Sequence, residues 1–199
     1  VTGTLRQAQK GSAFQLDVPV VVRTGAGPVI DTLRIEKTAT PFALRTPARP
    51  LALDVDPSFD VFRVLDPRET PPSIGRIFGE SRVLAVLPSQ APEAERAAWR
   101  TLVEGWRSDS HAPEFVTDAE VRELPADRAV WLLGRDNALA KQLFASGADY
   151  ALEGGKLTVD RESMALAGHC AVLVRRHPAA PDRAVGWILA DGLAALPGL

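Results

Sequence analysis

Three histidines (His111, His169, His177) and one cysteine, Cys170, are the side chains best suited to hold a metal or attack a carbonyl. A zinc site needs several such ligands converging on one point, most simply two histidines on one helix face. No His-Glu-x-x-His occurs in the chain. His169 and Cys170 are adjacent, and neighbours on a strand point to opposite faces, so they do not chelate together. The plain reading is one buried thiol and two surface histidines, with no metal site. As nucleophiles, Cys170 and Ser89 are the candidates. Ser89 follows an apolar run, where α/β enzymes often place ligands. No Gly-x-Ser-x-Gly elbow surrounds it, and a serine there serves equally as a turn or cap residue. A hydrolase built on either residue requires a histidine within hydrogen-bond reach.

Phosphate chemistry is disfavoured. The turn Leu87-Pro-Ser-Gln-Ala-Pro92 lacks the glycines that let backbone approach a pyrophosphate, and no Gly-x-x-x-x-Gly-Lys exists. The best local candidate is Gly134-Arg-Asp-Asn137, between an apolar run and a helical segment. Backbone N–H groups point outward at such a turn, Arg135 can pair with an anion, and Asn137 or Asp136 can cap the helix. Gly134, Arg135 and Asn137 are therefore the candidate ligand-binding residues. A tight turn plus a helix cap explains the same residues without a ligand. Asp54 and Asp56 lie two apart in a strand-like run and are expected to share a face, where they can share a proton or hold a cation. Asp56-Pro57 is equally a turn opening. The four tryptophans lie within apolar patterns and read as core or contact residues. No catalytic residue and no metal ligand is assigned.

The elements that must position these residues fall into two groups. In residues 1–65, Phe14, Leu16, Val18, Val20 and Val22 alternate with a second set, a period of two with one apolar face. A turn at Thr24–Pro28, alternation over Ile30–Lys37, and short strands at Phe42–Leu44 and Leu51–Val55 follow. Short strands joined by turns predict an Ig-like β-sandwich. Four or five strands are few for a complete one, so a partner strand is expected before Val1. Residues 66–80 hold three prolines and two glycines and read as a linker, with Ile74, Ile77 and Phe78 expected to pack.

Residues 81–199 change character. Val83–Leu87 and Ala129–Leu133 are continuous apolar runs, as strands buried on both faces require. An amphipathic helix is expected over Glu93–Trp106, and a second from about Asn137 to Ala145. Thr117-Asp-Ala-Glu120 has capping-box spacing and predicts a short helix. Gly154-Gly155 marks a hairpin between Tyr150–Leu152 and Lys156–Val159. Ala171–Val174 and Val185–Leu189 are two more apolar runs, and Asp191 is placed to cap a last helix. Together these predict a small α/β domain with a mostly parallel sheet.

The stretch Leu51-Ala-Leu-Asp-Val-Asp-Pro-Ser-Phe-Asp-Val-Phe-Arg-Val-Leu-Asp66, with Phe14-Gln-Leu-Asp-Val-Pro-Val20 before it, resembles the β-sandwich that follows the catalytic domain in bacterial aminopeptidase N-like (gluzincin) zinc metallopeptidases. The continuation Leu65-Asp-Pro-Arg-Glu-Thr-Pro-Pro-Ser-Ile74 is similar to large envelope-associated members, in which an α/β segment with Gly-Arg-x-Asn follows, as at Gly134, Arg135 and Asn137. The family's zinc-binding helix, distal glutamate and Gly-x-Met-x-Asn are not in this chain. The resemblance therefore implies the non-catalytic C-terminal region of such a peptidase, partnered by the remainder of its own polypeptide. It implies no cofactor in this stretch, with zinc only in the absent catalytic domain, and a bacterial envelope or periplasmic setting. A chain opening on Val1 fits an excised piece, or the mature form of a processed protein.

Composition is consistent with this. The 199 residues are 46% hydrophobic and 24% charged, with a net charge of −2. These are the proportions of an ordinary globular chain. A general nucleic-acid binder needs a basic excess that is missing here. No apolar run reaches the roughly 20 residues of a membrane-spanning helix. One cysteine excludes an internal disulfide. The ligands expected are a peptide or a small anion.

Overall fold

The computed structural model describes residues 1–144 and 150–198; of Pro197 and Gly198 it describes the backbone only. The chain is mostly β and divides into two compact units, Val1–Leu65 and Asp66–Leu199.

The first unit holds five strands: β1 (Thr2–Arg6), β2 (Leu16–Thr24), β3 (Gly27–Ile35), β4 (Ala39–Ala43) and β5 (Pro50–Val55). β2 is central in an antiparallel sheet of order β3-β2-β5, and β1 pairs with β4 as a separate antiparallel ribbon. The period of two does its work in β2, where Val18, Val20 and Val22 are buried. Val20 and Val22 share one core with Leu44, and Phe42 of β4, Leu33 of β3 and Leu53 of β5 pack against it. Both sheets thus contribute to a single apolar centre. The β2–β3 turn is closed by Thr24, whose hydroxyl donates to Gly27 O at 2.7 Å and accepts from Ala26 N at 3.2 Å. Gly27 sits at φ +111°, a region other residues rarely adopt.

The second unit begins earlier than the composition implied. Residues 66–80, expected as a linker, carry a 3₁₀ turn (Pro67–Glu69) and helix α1 (Ile74–Phe78), and belong to this unit. Ile77 is fully buried in its core. The turn is held by Arg176, which donates to Pro67 O, and to Thr70 O at 2.9 Å.

The remaining elements are β6 (Arg82–Leu87), α2 (Glu93–Glu104), β7 (Ala112–Thr117), β8 (Ala129–Leu133), α3 (Ala138–Leu143), β9 (Tyr150–Glu153), β10 (Lys156–Val159), β11 (Glu162–Ala165), β12 (Cys170–His177), β13 (Ala180–Ala190) and a 3₁₀ turn (Leu193–Gly198). Five strands form one mixed sheet of order β12-β13-β8-β6-β7. The pairings β13–β8, β8–β6 and β6–β7 are parallel; β12–β13 is an antiparallel hairpin. Successive side chains of β6 and β8 feed two cores. Val83, Ala85, Leu87, Trp131 and Leu133 face Ile77, Trp99 and Val103 of α1 and α2. Leu84, Val86, Val130 and Leu132 face Ala140 of α3, Phe144, and Leu157 of the β9–β10–β11 meander. A Cβ at Gly186 would lie 2.1 Å from the Trp131 ring, so only glycine lets that ring cross β13.

Two expectations need correction. Thr117–Glu120 makes its capping contact, Thr117 N donating to Glu120 Oε2 at 2.7 Å, but a turn follows and not a helix. The Asp118 N–H is taken by Leu87 O at 2.9 Å, which ties the segment to the end of β6. The helix expected to reach Ala145 is described as α3, ending at Leu143; Ala145 lies outside the described residues.

Candidate functional site

In an open parallel sheet, ligands bind beyond the carboxyl ends of the strands, where the chain order reverses. Here the reversal lies between β6 and β8. From β6 the chain crosses by α2 to β7 on one side, then returns to β8 on the other. The loops after β6 and β8 are therefore neighbours, and they carry Ser89 and Gly134–Asn137.

Each residue of the second loop has a defined place. Gly134 adopts φ +83°, its N–H donates to Ile188 O at 2.9 Å, and its carbonyl accepts from Trp187 Nε1 at 2.9 Å. A Cβ there would meet Pro88 Cγ at 3.0 Å and Trp99 Nε1 at 3.2 Å, so a side chain is opposed by both space and backbone. Asn137 is fully buried. Its Nδ2 donates to Val86 O at 2.9 Å and its Oδ1 accepts from Ala140 N at 3.0 Å. It both caps α3 and ties that helix to β6. Asp136 pairs with Lys141 at 2.8 Å. The Arg135 guanidinium lies 3.5 Å from Asp191 Oδ1.

Sequence reasoning missed Asp118. This buried carboxylate accepts from Ser89 N at 2.8 Å and from Ala138 N at 2.7 Å. Burial alone would raise its pKa. Hydrogen bonds from the Ser89 side chain and from the backbone of Ala138, Ser89 and Ala119 outweigh that, and hold it below the usual value. Asp118 and Asn137 thus fill the backbone donors at the reversal with the protein's own groups. The available signal was the acid at the end of a strand inside Thr117-Asp-Ala-Glu120, read as a cap.

Beside this latch, a pocket of about 420 Å³ opens between the Arg135 turn, Phe144 and the β9–β10 hairpin. Phe144, Leu166 and Trp187 are buried side chains of its lining.

The other candidates separate. Asp56 lies just past β5 at φ +50° and is fully buried. Its carboxylate accepts from Asp60 N at 2.7 Å and Val61 N at 3.1 Å, closing the turn. Asp54 stays on the strand and pairs with Arg23 at 2.7 Å. The expected shared face is lost to the left-handed turn at Asp56. Cys170 donates to Ala195 O at 3.1 Å, and burial pushes its thiol pKa up. That is the opposite of an activated nucleophile. His169 Nδ1 meets Ala167 O at 2.8 Å. His177, expected on the surface, is buried, and so is His111. His111 Nδ1 donates to Glu80 O at 3.1 Å; His177 Nδ1 accepts from Ala179 N at 3.1 Å. Among the described residues no histidine is hydrogen-bonded to Ser89 or Cys170, and no three His, Cys, Asp or Glu side chains are grouped to hold a metal ion. Among the described residues no helix is long and apolar enough to cross a membrane.

No family model matches this chain, and no curated protein matches it.

Proposed function

We propose that this chain is a non-catalytic accessory region of a larger zinc aminopeptidase-like protein. Residues 1–65 act as part of an Ig-like β-sandwich and 66–199 as an α/β domain. They pack on the peptidase domain and shape access to its active site. Zinc belongs to that domain alone, and the setting is the bacterial envelope or periplasm.

The supporting observation is exposed apolar surface in the first unit. Phe59, Phe62 and Val64 lie close together in the chain, and all are exposed, Phe62 completely. Phe14, Ile30 and Leu51 are exposed as well. Single exposed apolar residues are ordinary, but several within six positions suit a surface that another domain covers. The test compares Phe62→Asp in the parent protein and in residues 1–199 alone. In the isolated chain the side chain is already in water, so thermal stability holds within about 0.5 kcal/mol. In the parent, the buried carboxylate costs about 2 kcal/mol or more. Equal insensitivity in both contradicts the proposal.

A second reading has its own support: a small anionic ligand at the turn Gly134–Asn137. The loops of Ser89 and Arg135 are adjacent, as that reading requires, and a pocket opens beside Arg135. With Asn137 and Asp118 already engaged, Arg135 is the group left to meet the anion. Saturable, Arg135-dependent binding of inorganic phosphate or a carboxylate tests it.

A further inference from the structure

The pocket beside Arg135 has an apolar floor and two separate charges on its lining. Phe144, Leu166 and Trp187 are each no more than 3% exposed and form the floor. Its volume of about 420 Å³ falls in the range of roughly 300–1,000 Å³ typical of small-molecule sites. Of the four charged residues on the lining, Lys141 and Asp136 neutralise each other at 2.8 Å. Arg135 and Glu153 remain. Arg135 Nη2 is buried and makes no hydrogen bond, its pairing with Asp191 being a loose 3.5 Å. Arg135 lies on the lining and is held only by that loose pair, so its guanidinium is the cation a ligand carboxylate would meet. The Glu153 carboxylate has no ion-pair or hydrogen-bond partner among the described residues.

The two ends of the pocket are built on fixed elements. The Trp187 indole donates to Gly134 O at 2.9 Å, which locks the floor to the turn that carries Arg135. Glu153 ends β9 at a tight hairpin, where Gly154 and Gly155 take φ +55° and +74°. Register pairing of Glu153 with Lys156 and Leu152 with Leu157 holds that hairpin against the core. Preorganised groups lose little entropy when a ligand arrives.

We infer that this pocket takes a zwitterion with an apolar side chain, a hydrophobic amino acid or short unblocked peptide, its carboxylate on Arg135 and its ammonium on Glu153. A purely anionic ligand leaves Glu153 repelling it, and a purely apolar one uses neither charge. The inference rests on the second reading above, because both use Arg135, and it adds the demand for a second, cationic end.

The test is a titration of residues 1–199 followed by NMR at the Trp187 indole N–H and the Gly154 and Gly155 amides. The probes are leucyl-leucine, N-acetyl-leucyl-leucine, leucyl-leucinamide and inorganic phosphate. Leucyl-leucine is expected to saturate, and blocking either end to weaken it by about tenfold. Arg135→Gln is expected to weaken leucyl-leucine to a similar degree, and Glu153→Gln to do so without touching the core. Should Arg135→Gln perturb the fold, Arg135→Lys keeps the charge but not the planar fork, and Glu153→Gln alone still decides the ammonium arm. Binding that tolerates N-acetylation, or that Glu153→Gln leaves unchanged, overturns the inference. Phosphate binding without leucyl-leucine binding overturns it while leaving the second reading intact. Failure of all four probes to saturate removes both.

Discussion

Asp118 shows how one side chain decides what a site can do. Its carboxylate takes the Ser89 and Ala138 N–H groups, the donors an external anion would otherwise meet. Asp118→Ala leaves both unpaired and is expected to cost about 2–3 kcal/mol, read from denaturant midpoints. The pH dependence has a definite sign. A carboxylate whose folded pKa is depressed stabilises above its unfolded pKa, and that stability is lost as pH falls through the folded value. Asp118→Asn is therefore expected to flatten the acid limb of the stability profile below about pH 4. Asn137→Ala removes a cap and strands Val86 O, for a loss of about 2 kcal/mol. His177 works on a different window. Burial lowers its pKa from the ordinary histidine value, so the folded chain favours the neutral ring. As pH falls below 6.5 the unfolded state takes up a proton first, and stability declines until the folded pKa is passed. His177→Gln keeps an acceptor for Ala179 N and is expected to abolish that decline in a thermal-melt series.

At the scale of elements, the long apolar runs were legible because burial on both faces leaves no polar positions. Val83–Leu87 and Ala129–Leu133 appear as β6 and β8, and Gly154-Gly155 marks the β9–β10 turn. β1 and β11 were not read. Thr2–Arg6 has no apolar alternation, and all four residues of Glu162–Ala165 are exposed, so their pairing partners alone make them strands. The latch was illegible for a related reason. Asp118 meets Ser89 across 29 positions, and local sequence carries no mark of such a pairing. Gly134, Arg135 and Asn137 were readable as a turn and a cap, since glycine and asparagine there answer local backbone demands. Which loop lies beside them depends on β6 pairing directly with β8. Packing at this scale also makes a prediction. Gly186→Ala drives a methyl into the Trp131 ring and is expected to cost about 2–3 kcal/mol in an unfolding titration.

For the whole molecule, the two units differ in how far they satisfy themselves. The second has two apolar layers on either face of its five-stranded sheet. The first has one small core of three buried side chains and several exposed aromatic and aliphatic ones. A unit of that size gains little from burial alone, which favours a covering partner. Under the proposed function that partner is a zinc peptidase domain of the same polypeptide, as the resemblance of Leu51–Asp66 implies. The most direct measurement is the reading frame upstream of the Val1 codon. The account predicts a helix bearing His-Glu-x-x-His with a glutamate ligand farther along. A stop or start codon immediately before Val1, with no such helix, would contradict it.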